Sequence, residues 1–429
     1  MDSFPRLDRE LESVLPVREL TTELPGCIHR FYDSSPVSPS GRYVALTRLP
    51  HEDRVPVPGE EAQIVLVDLI EGSTRPVASS ACWDTQLGAQ VQWGVTDREL
   101  LFNELDERRW QARAVVLDPE TGTLRRLDGA LYHADGNGTR IASPALHRIG
   151  FTQLGYGFAL PQQVLQPNAG APDDDGLFVT SLETGQTELV VSLAEIYERL
   201  RDRLGFPELG SATAPRGALY GFHVKWNPAG DRLLFVVRYR GLRDGPGWRG
   251  AVVTCRPDGG DLRVAVPASV WAHGGHHPHW CPDGEHIIVN LSERALAFAR
   301  GKPLEGRSRE LRFARISFDG VVEPFHPAVL GSGHPTLHSG GRHILTDAYP
   351  RESVARQHNS CPLRWIDTVT GDETTLLWMP LSPVAWGPFL ALRVDMHPAW
   401  DREQKHVVVN GTRDGRRHVY MVEMETLHD

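Results

Sequence analysis

Short apolar runs separated by turn sequences recur along the whole chain. The turn Val37–Arg42 is followed by the run Tyr43–Thr47, and a second run, Gln63–Asp68, ends at an aspartate just before the turn Glu71–Gly72. Runs of this length, rich in β-branched residues and bounded by Gly, Pro, Asn or Asp, are typical of β-strands. The same order of strand, strand, aspartate and turn returns at residues 99–122. The pattern therefore predicts a chain built from repeated β units.

The repeats can be aligned on a tryptophan, or on an apolar residue in its place, near the first strand of each unit. The position three residues before it marks the start of a unit, and most starts are 41 to 63 residues apart. The unit starts are Ser34, Gln90, about Leu131, His223, His277, His334 and His397. Periods of this size without helical periodicity indicate the blades of a β-propeller. We predict an all-β fold, a seven-bladed β-propeller that forms a single domain over residues 1–429.

Two parts of the chain do not follow the regular repeat. The N-terminal stretch to about Leu24 is mixed in charge and is predicted to add an outer strand to the last repeat. The step from the third to the fourth unit is about 92 residues, which predicts an insertion at about 144–220 between blades three and four. Within it, residues 147–175 are punctuated by glycine and proline, and residues 192–200 predict a short amphipathic helix. Long insertions on a rigid scaffold often carry function.

Composition argues against several classes of partner. The formal net charge of -10 argues against a nucleic-acid-binding protein, because such proteins neutralise phosphates with clustered Lys and Arg. No run approaches the ~20 apolar residues of a membrane span, and the first residues lack the apolar core of a signal peptide. The five cysteines are widely spaced and contain no CxxC pair, which indicates reduced thiols. We expect a cytoplasmic protein with no nucleic-acid or membrane partner, whose oligomeric state stays open.

Histidines occupy the start of four successive units, and this shared register is the main indication of chemistry. They are His223, His277, His334 and His397, and Gln90 holds the same place in the second unit. Because the innermost strands of a propeller line its central channel, equivalent positions should form a ring. A single histidine before a proline is more often a hydrogen-bonded turn residue, but four in one register favour ligands of a divalent metal. The off-register His276, His279 and His338 are expected to be peripheral.

Cationic and aromatic side chains near the fourth unit suggest the nature of the ligand. Arg238, Arg240 and Arg243 follow the predicted inner strand of that unit, and the insertion adds His147, Arg148 and Tyr156. Arginine binds carboxylates bidentately, so a local cluster in an acidic protein indicates a small anionic substrate, with solvated loop charges as the alternative. Tyr156 stands between two glycines, which let the backbone turn and expose the ring.

Two further sets of residues hold fixed places in the repeats and are assigned no chemistry. Trp93, Trp226, Trp280 and Trp400 are expected to pack between blades. Asn103, Asn290, Asp347 and Asn410 lie ten residues after the tryptophan position. Their side chains are expected to cap strand ends by hydrogen bonds to the backbone.

Several motifs give the chain a resemblance to propeller polysaccharide lyases. They are the HPxW and SPDG-like turns of the repeats, the pattern HRxxxxxLGYGF at residues 147–158, and the closing segments 393–400 and 413–420. With these motifs the chain resembles the oligogalacturonate lyases, and it is similar to the fungal rhamnose–glucuronate lyases as well. The resemblance spans nearly the whole chain, and the histidine register and the insertion are its specific part.

The resemblance implies β-elimination at a uronic acid residue of an anionic oligosaccharide. Oligogalacturonate lyases bind manganese through three histidines and a glutamine, so a divalent metal, Mn²⁺ first of all, is implied. Its ligands would come from His223, His277, His334, His397 and Gln90.

The same resemblance implies three catalytic parts, namely a cation for the substrate carboxylate, a base and an acid. Arg148 and Arg238 are the candidates for the cation, besides the metal, and His147 and Tyr156 are the candidates for base and acid. The alternatives from other classes are a non-catalytic carbohydrate- or protein-binding propeller and a metal-dependent sugar hydrolase or isomerase.

Overall fold

Seven small antiparallel sheets stand in a ring, and each sheet is one blade of a β-propeller. The structure is a computed structural model and describes residues 11–211, 214–242, 248–350, 352–356, 360–381 and 387–427. Within each blade the strands follow one another in chain order from the axis outward, except that strands of the N-terminal segment form the outer edges of blades 6 and 7. The predicted all-β fold with seven blades is confirmed.

The first four blades each consist of four strands. From the axis outward, blade 1 is formed by Cys27–Ile28, Tyr43–Arg48, Ala62–Asp68 and Thr74–Ser80. Blade 2 is formed in the same order by Gln92–Trp93, Leu100–Asp106, Gln111–Leu117 and Leu124–Arg126. Blade 3 is formed by His133–Ala134, Arg140–Ser143, Gly176–Ser181 and Thr187–Ser192. Blade 4 is formed by Gly217–Trp226, Leu233–Gly241, Arg249–Cys255 and Arg263–Val266.

The last three blades follow the same plan, and the N-terminal segment completes two of them. Blade 5 is formed by Gly275–Trp280, His286–Ser292, Leu311–Ser317 and Val322–Pro324. Blade 6 is formed by Thr336–Leu337, His343–Thr346, Ser360–Asp367 and Glu373–Pro380, with Glu12–Ser13 at its outer edge. Blade 7 is formed by Ala399–Trp400, His406–Arg413, Arg416–Glu423 and the N-terminal strand Val17–Glu19. The N-terminal stretch therefore supplies the outer strand of the last blade, as predicted.

The stretch predicted as one insertion is divided by two strands of blade 3. Residues 144–175 connect the second and third strands of that blade and contain helix α1, Leu146–Ile149, and a 3-10 turn at Gln162–Val164. Helix α2, Leu193–Leu204, and the two short strands Gly210–Ser211 and Ala214–Pro215 lie between blade 3 and blade 4. The predicted insertion is thus two separate excursions from the regular repeat.

Helix α2 corresponds to the predicted amphipathic helix, and its ends show why it forms there. The Ser192 side chain accepts the Glu195 backbone N–H at 3.1 Å, and the Glu195 carboxylate accepts the Ser192 N–H at 2.8 Å. This capping box satisfies two donors that would otherwise be unpaired. Gly205 ends the helix in the left-handed conformation.

The remaining helical segments are short connections. They are α3 at Ala268–Trp271, α4 at Glu293–Ala299, and 3-10 turns at Gly387–Leu392 and Glu425–Leu427. No helix in the described ranges is long and apolar enough to cross a membrane. All five cysteines are buried free thiols.

The tryptophans of the repeat join neighbouring blades, as predicted. Trp93, Trp226, Trp280 and Trp400 are all buried. The Trp226 indole N–H donates to the His133 carbonyl of blade 3 at 3.1 Å, and the Trp280 N–H donates to the Lys225 carbonyl of blade 4 at 3.0 Å. A buried indole needs such an acceptor, and the carbonyl of the preceding blade provides it. Each tryptophan therefore fixes the distance between two blades as well as filling the space.

Candidate functional site

The four histidines of the shared register lie together around the aromatic ring of Phe31. The ring centroid of Phe31 is 4.7 Å from that of His397, 5.3 Å from that of His223 and 5.5 Å from that of His334. His277 stacks on His334 with 3.9 Å between centroids, and His334 meets His397 edge to face at 4.5 Å. The four residues are called the histidine cluster below. They come from blades 4 to 7, so the cluster depends on closure of the ring.

Irregular backbone turns the side chains of the cluster toward the axis. The pairing of the first two strands is interrupted between Gly221 and Val224 in blade 4, and between His276 and His279 in blade 5. Such bulges re-aim side chains. His277 and His397, like Gln90, have positive φ angles, of 56°, 49° and 60°. A non-glycine residue in this region costs on the order of 1–3 kcal/mol, and such strain concentrates at functional sites.

The amides and the carboxylate ten residues after the tryptophan position hold the backbone of the neighbouring blade. The Asn290 Nδ2 group donates to the Gly333 carbonyl at 3.0 Å, beside His334. Asp347 accepts the backbone N–H of His334 at 2.7 Å and that of His397 at 3.3 Å. The predicted side-chain to backbone bonds are present: Asn290 reaches the backbone of the next blade, whereas Asp347 binds its own blade at His334 and the next blade at His397. These hydrogen bonds fix the positions of the cluster residues along the propeller axis.

A segment of blade 1 fills the channel beneath the cluster and was not predicted. Residues 29–34, called the plug, leave the inner strand of blade 1 and place Phe31 and Tyr32 on the axis, where both are buried. The Tyr32 hydroxyl accepts the Lys225 Nζ–H at 2.8 Å. The signal in the sequence was an aromatic pair inside an otherwise turn-like stretch. The plug forms the floor of the site.

A group of buried charges supports the plug. Asp33 pairs with Arg30 and, at 3.3 Å, with Lys225, and all three side chains are almost fully buried. Burial by itself would raise the pKa of Asp33, but Arg30 and Lys225 hold that pKa well below its usual range. Burial lowers the pKa of Lys225 to about 8, although Asp33 opposes this. The Arg30 Nε–H also donates to Gln90 Oε1 at 2.8 Å, so the Gln90 side chain is engaged by the plug.

Mild acid is expected to destabilise the fold, in part through His133. Burial lowers the pKa of this imidazole to about 4, its Nε2 bonds the Asp33 carbonyl at 3.1 Å, and its Nδ1 accepts the Trp226 N–H at 3.2 Å. In the unfolded chain this imidazole binds a proton below pH ~6.5, whereas in the folded protein it stays neutral there. The free energy of unfolding is therefore highest above pH ~6.5 and falls as the pH drops below that value. Through His133, the free energy of unfolding should fall by about 2 kcal/mol between pH 6.5 and pH 5.

Urea denaturation of the metal-free protein at pH 7 and pH 5 measures this effect. His133→Gln keeps a polar side chain but has no proton to bind in this range, so its stability should depend less on pH. An equal fall in the wild type and the variant would contradict the assignment.

Three side chains in the cluster region have the arrangement of a metal site. Among the described residues, ligand atoms of His334, Asp395 and His397 all lie within 4.8 Å of one another, and all three side chains are buried. His334 Nδ1 bonds both Asp347 oxygens, at 2.9 and 3.0 Å, which leaves Nε2 for another partner. A carboxylate on the far nitrogen is the usual way in which a metal-binding imidazole is oriented.

The unsatisfied atoms of this group agree with that arrangement. His334 Nε2 and both ring nitrogens of His397 are buried without a hydrogen-bond partner in the described part of the chain. Buried polar atoms are rarely left in this state. Imidazole and carboxylate together suit Mn²⁺, Fe²⁺ or Zn²⁺, so the donors fit a divalent ion. Asp395 was missed in the sequence, although it precedes His397 by only two residues.

His277, His223 and Gln90, also predicted as ligands, are engaged differently. His277 Nδ1 bonds the Gly333 carbonyl at 2.8 Å, and its Nε2 bonds the Tyr349 hydroxyl at 3.2 Å. His223 Nδ1 bonds the Tyr132 hydroxyl. Burial lowers the pKa of both imidazoles well below the usual value, so they are neutral at pH 7. The five predicted ligands are therefore divided, and two of them, with Asp395, form the three-donor group.

The first excursion covers the end of the channel above the cluster, which is called the mouth. Tyr156 is buried there, with its ring centroid 6.0 Å from that of His223. Its hydroxyl oxygen accepts an Arg393 N–H at 3.0 Å, and the Arg393 Nε–H donates to Asp395 at 2.8 Å. The Gly157 N–H donates to the Asp84 carboxylate at 3.0 Å, which anchors the loop to blade 2. The predicted exposure of the Tyr156 ring is wrong, because the ring packs against Phe222 and His223 and forms part of the roof of the site.

The predicted cations have different positions. Arg238 lies with Cζ 3.3 Å from the centroid of the Phe222 ring, which itself contacts His223 at 3.9 Å. Its NH1 donates to Thr152 Oγ1 at 3.3 Å, and no carboxylate partner is found for it in the described ranges. Burial lowers the pKa of Arg238 to about 9. It remains a cation at neutral pH, without a counter-charge among the residues that the structure describes.

Arg148 and His147 are placed away from the cluster. Arg148 pairs with Asp174 at 3.2 Å and with Asp175 at 3.4 Å. Burial, and then the Arg148 charge, lower the pKa of His147 to about 4, but its ring makes no aromatic contact with the cluster within the described part of the protein. Arg240 donates to the Phe151 carbonyl, and Arg243 lies outside the described residues. The off-register His276 contacts the cluster through His277, with 4.5 Å between centroids.

Comparison with known proteins bears on the fold. No protein-family model and no curated protein matches the chain. The structure is similar to that of an oligogalacturonate lyase in complex with manganese, with a TM-score of 0.60 and 12% identity over 96% of this chain and 93% of that chain. It is similar to an oligogalacturonate lyase from Vibrio parahaemolyticus, with a TM-score of 0.61 and 12% identity over 97% and 96% of the two chains. Its fold resembles that of oligogalacturonate lyases.

The tricorn protease is also similar, with a TM-score of 0.51 and 13% identity over 100% of this chain and 35% of that chain. Because folds of this kind serve unrelated activities, these similarities show the fold and leave the chemistry to the site. The resemblance to fungal rhamnose–glucuronate lyases stays a prediction.

Proposed function

We propose that the protein is a metal-assisted lyase that cleaves uronate-containing oligosaccharides by β-elimination. The observation that carries the proposal is the three-donor group of His334, Asp395 and His397 at a mouth that also holds the uncompensated guanidinium of Arg238. The fold similarity to oligogalacturonate lyases, one of them in complex with manganese, supports it. The buried free thiols are consistent with action in the cytoplasm.

The reaction requires that the proton at C5 of the uronate become acidic. The C6 carboxylate beside it must be neutralised, because its negative charge opposes formation of a carbanion at C5. Arg238 is suited to bind that carboxylate, since Phe222 and Thr152 hold its guanidinium and no carboxylate of the described part of the chain pairs with it. A divalent ion held by His334, Asp395 and His397 would supply Lewis-acid polarisation of the same group.

Tyr349 and His277 are placed to remove the C5 proton. Because His277 Nδ1 faces the Gly333 carbonyl, that nitrogen carries the hydrogen, and Nε2 accepts the Tyr349 hydroxyl proton at 3.2 Å. Burial raises the pKa of Tyr349, so its hydroxyl is protonated at neutral pH. The C5 proton passes to the Tyr349 oxygen while the phenolic proton moves to His277 Nε2. We assign this role to Tyr349, which the sequence did not single out, in preference to His147, a sequence-based candidate for base or acid.

Tyr156 is placed to protonate the leaving oxygen at C4. The Arg393 N–H donates to its phenolic oxygen, which leaves the hydroxyl proton of Tyr156 free to be given away. The C4–O bond breaks, a double bond forms between C4 and C5, and the leaving sugar departs with the proton from Tyr156. Arg238 keeps its predicted role as carboxylate ligand, and Tyr156, predicted as either base or acid, is proposed here as the acid.

Incubation with oligosaccharides tests the proposed function. Oligogalacturonides and glucuronate-terminated oligosaccharides, supplied with Mn²⁺, should develop the ultraviolet absorbance of a 4,5-unsaturated product, and a chelator should suppress it. Mass spectrometry separates this outcome from hydrolysis, which adds water and forms no double bond. Binding without any product across the panel would overturn the proposal in favour of a non-catalytic propeller.

Tyr349→Phe is expected to lower kcat by at least ~100-fold with little change in KM, because it removes a proton carrier and leaves the ring in place. Tyr43→Phe is the matched control, because Tyr43 is the first residue of the second strand of blade 1. This variant should leave kcat and KM unchanged. Initial rates of product absorbance measure both. A wild-type kcat in Tyr349→Phe would remove Tyr349 from the mechanism.

A further inference from the structure

Trp248 differs from the tryptophans that join the blades. Its side chain is 54% exposed, whereas those at the repeat position are buried and donate their indole N–H to a neighbouring blade. It immediately precedes the third strand of blade 4, whose first residue, Arg249, pairs with Tyr239 beside Arg238. Trp248 therefore lies at the same end of blade 4 as Arg238 and the mouth.

The Trp248 indole is one end of a column of planar groups that leads to the histidine cluster. Arg238 Cζ is 5.1 Å from the centroid of the Trp248 ring and 3.3 Å from that of the Phe222 ring. Phe222 then contacts His223, with 3.9 Å between centroids. The guanidinium thus lies over two aromatic rings, an arrangement that is attractive because each ring face is electronegative.

The first excursion borders this column on the side of the mouth. Thr152 Oγ1 accepts the Arg238 NH1–H at 3.3 Å, and the Phe151 carbonyl accepts an N–H of Arg240. A ligand that reaches Arg238 from solvent therefore meets the excursion and the Trp248 indole. The indole offers an apolar face and the excursion offers polar groups, which is the composition of a saccharide-binding surface.

We propose that Trp248 is the stacking platform of a second sugar-binding subsite. The inference rests on the proposed function and deepens it. When the carboxylate of the cleaved uronate meets Arg238, the pyranose attached on the side away from the scissile bond would lie over blade 4, and the C–H groups of one of its faces would pack on the indole. The ligand class is a pyranose of the same oligosaccharide, with or without a carboxylate of its own.

Such a subsite makes the enzyme sensitive to chain length. A trisaccharide can occupy it while the scissile bond is at the cluster, whereas a disaccharide cannot fill every position at once. Trp248→Ala should raise KM for the galacturonate trisaccharide by about 5- to 10-fold, the scale of one aromatic contact, with kcat unchanged. KM for the disaccharide should not change. Trp248→Phe retains a planar face and should keep most of the preference for the longer chain.

Steady-state kinetics of the full chain with Mn²⁺, on the galacturonate disaccharide and trisaccharide, provide the test for the wild type and both variants. If the wild type cleaves neither of these substrates nor any other uronate-containing oligosaccharide, the proposed function is contradicted. A wild type that cleaves both, with an unchanged KM of Trp248→Ala for the trisaccharide, would overturn the subsite and leave the proposed function standing. An equal rise in KM for both lengths would also overturn it, because Trp248 would then act through Arg238 alone.

Discussion

His334→Ala is expected to lower the affinity of the protein for Mn²⁺ by at least ~100-fold and to remove lyase activity with it. The expected loss exceeds the ~10–100-fold cost of changing an outer partner of a metal ligand, because a donor itself is deleted. Among the described residues His334 Nε2 is buried without a hydrogen-bond partner, and Asp347 holds the opposite nitrogen at 2.9 and 3.0 Å. The imidazole is therefore aimed before any ion arrives, and alanine removes both the donor and its orientation.

Isothermal titration with Mn²⁺ measures this effect independently of turnover. Asp395→Asn is a second variant that keeps the side-chain shape while removing the charge, and it should weaken binding as well. His286→Ala is the matched control, because that imidazole pairs with Asp283 at the start of a blade 5 strand and is not part of the cluster. Wild-type affinity in both His334→Ala and Asp395→Asn would show that the three-donor group is not the metal site.

Phe31→Ala is expected to destabilise the fold by about 3–5 kcal/mol. The Phe31 ring is fully buried and contacts rings of blades 4, 6 and 7 as well as Tyr32 of its own plug. Its deletion would leave a cavity where all the blades converge, and the surrounding strands cannot close it because each is fixed in its own sheet. The variant should also connect the mouth to the lower part of the channel.

Chemical denaturation monitored by tryptophan fluorescence measures the loss of stability. Phe31→Leu fills part of the cavity and should lose less than the alanine variant. Ile70→Ala is the control in the same blade, since Ile70 is 76% exposed and its removal should change stability by less than about 0.5 kcal/mol. A loss below about 1 kcal/mol in Phe31→Ala would mean that the plug contributes little to joining the blades.

The fold could be predicted because its signal is local and repeated. Each blade presents the same strands and turns, and the tryptophan position returns in four of them. The insertion was harder to place, because its length was visible but the strands Gly176–Ser181 and Thr187–Ser192 inside it belong to blade 3. The number of residues between two repeat units does not reveal with which blade a strand in that stretch pairs.

The site could be predicted where it follows the repeat. His223, His277, His334 and His397 lie together because equivalent positions of a closed propeller face one axis. Tyr349, Asp395 and the plug do not follow the repeat, and no spacing identified them. Arg148 was predicted to bind the substrate, but in the structure it pairs with Asp174 and Asp175. These carboxylates are 26 and 27 residues away in the sequence, so the pairing could not be read from the sequence.

The sequence by itself determined the blade repeat, the closing N-terminal strand and the ring of histidines, since each depends on a period or a register that can be counted. The tertiary structure alone decided which ring nitrogens are engaged and which are left for a ligand. That distinction depends on residues that form hydrogen bonds with the imidazoles of the cluster, such as Asp347, Gly333 and Tyr349. Hydrogen bonding is directional over about 3 Å, so a register can bring imidazoles together but cannot orient them.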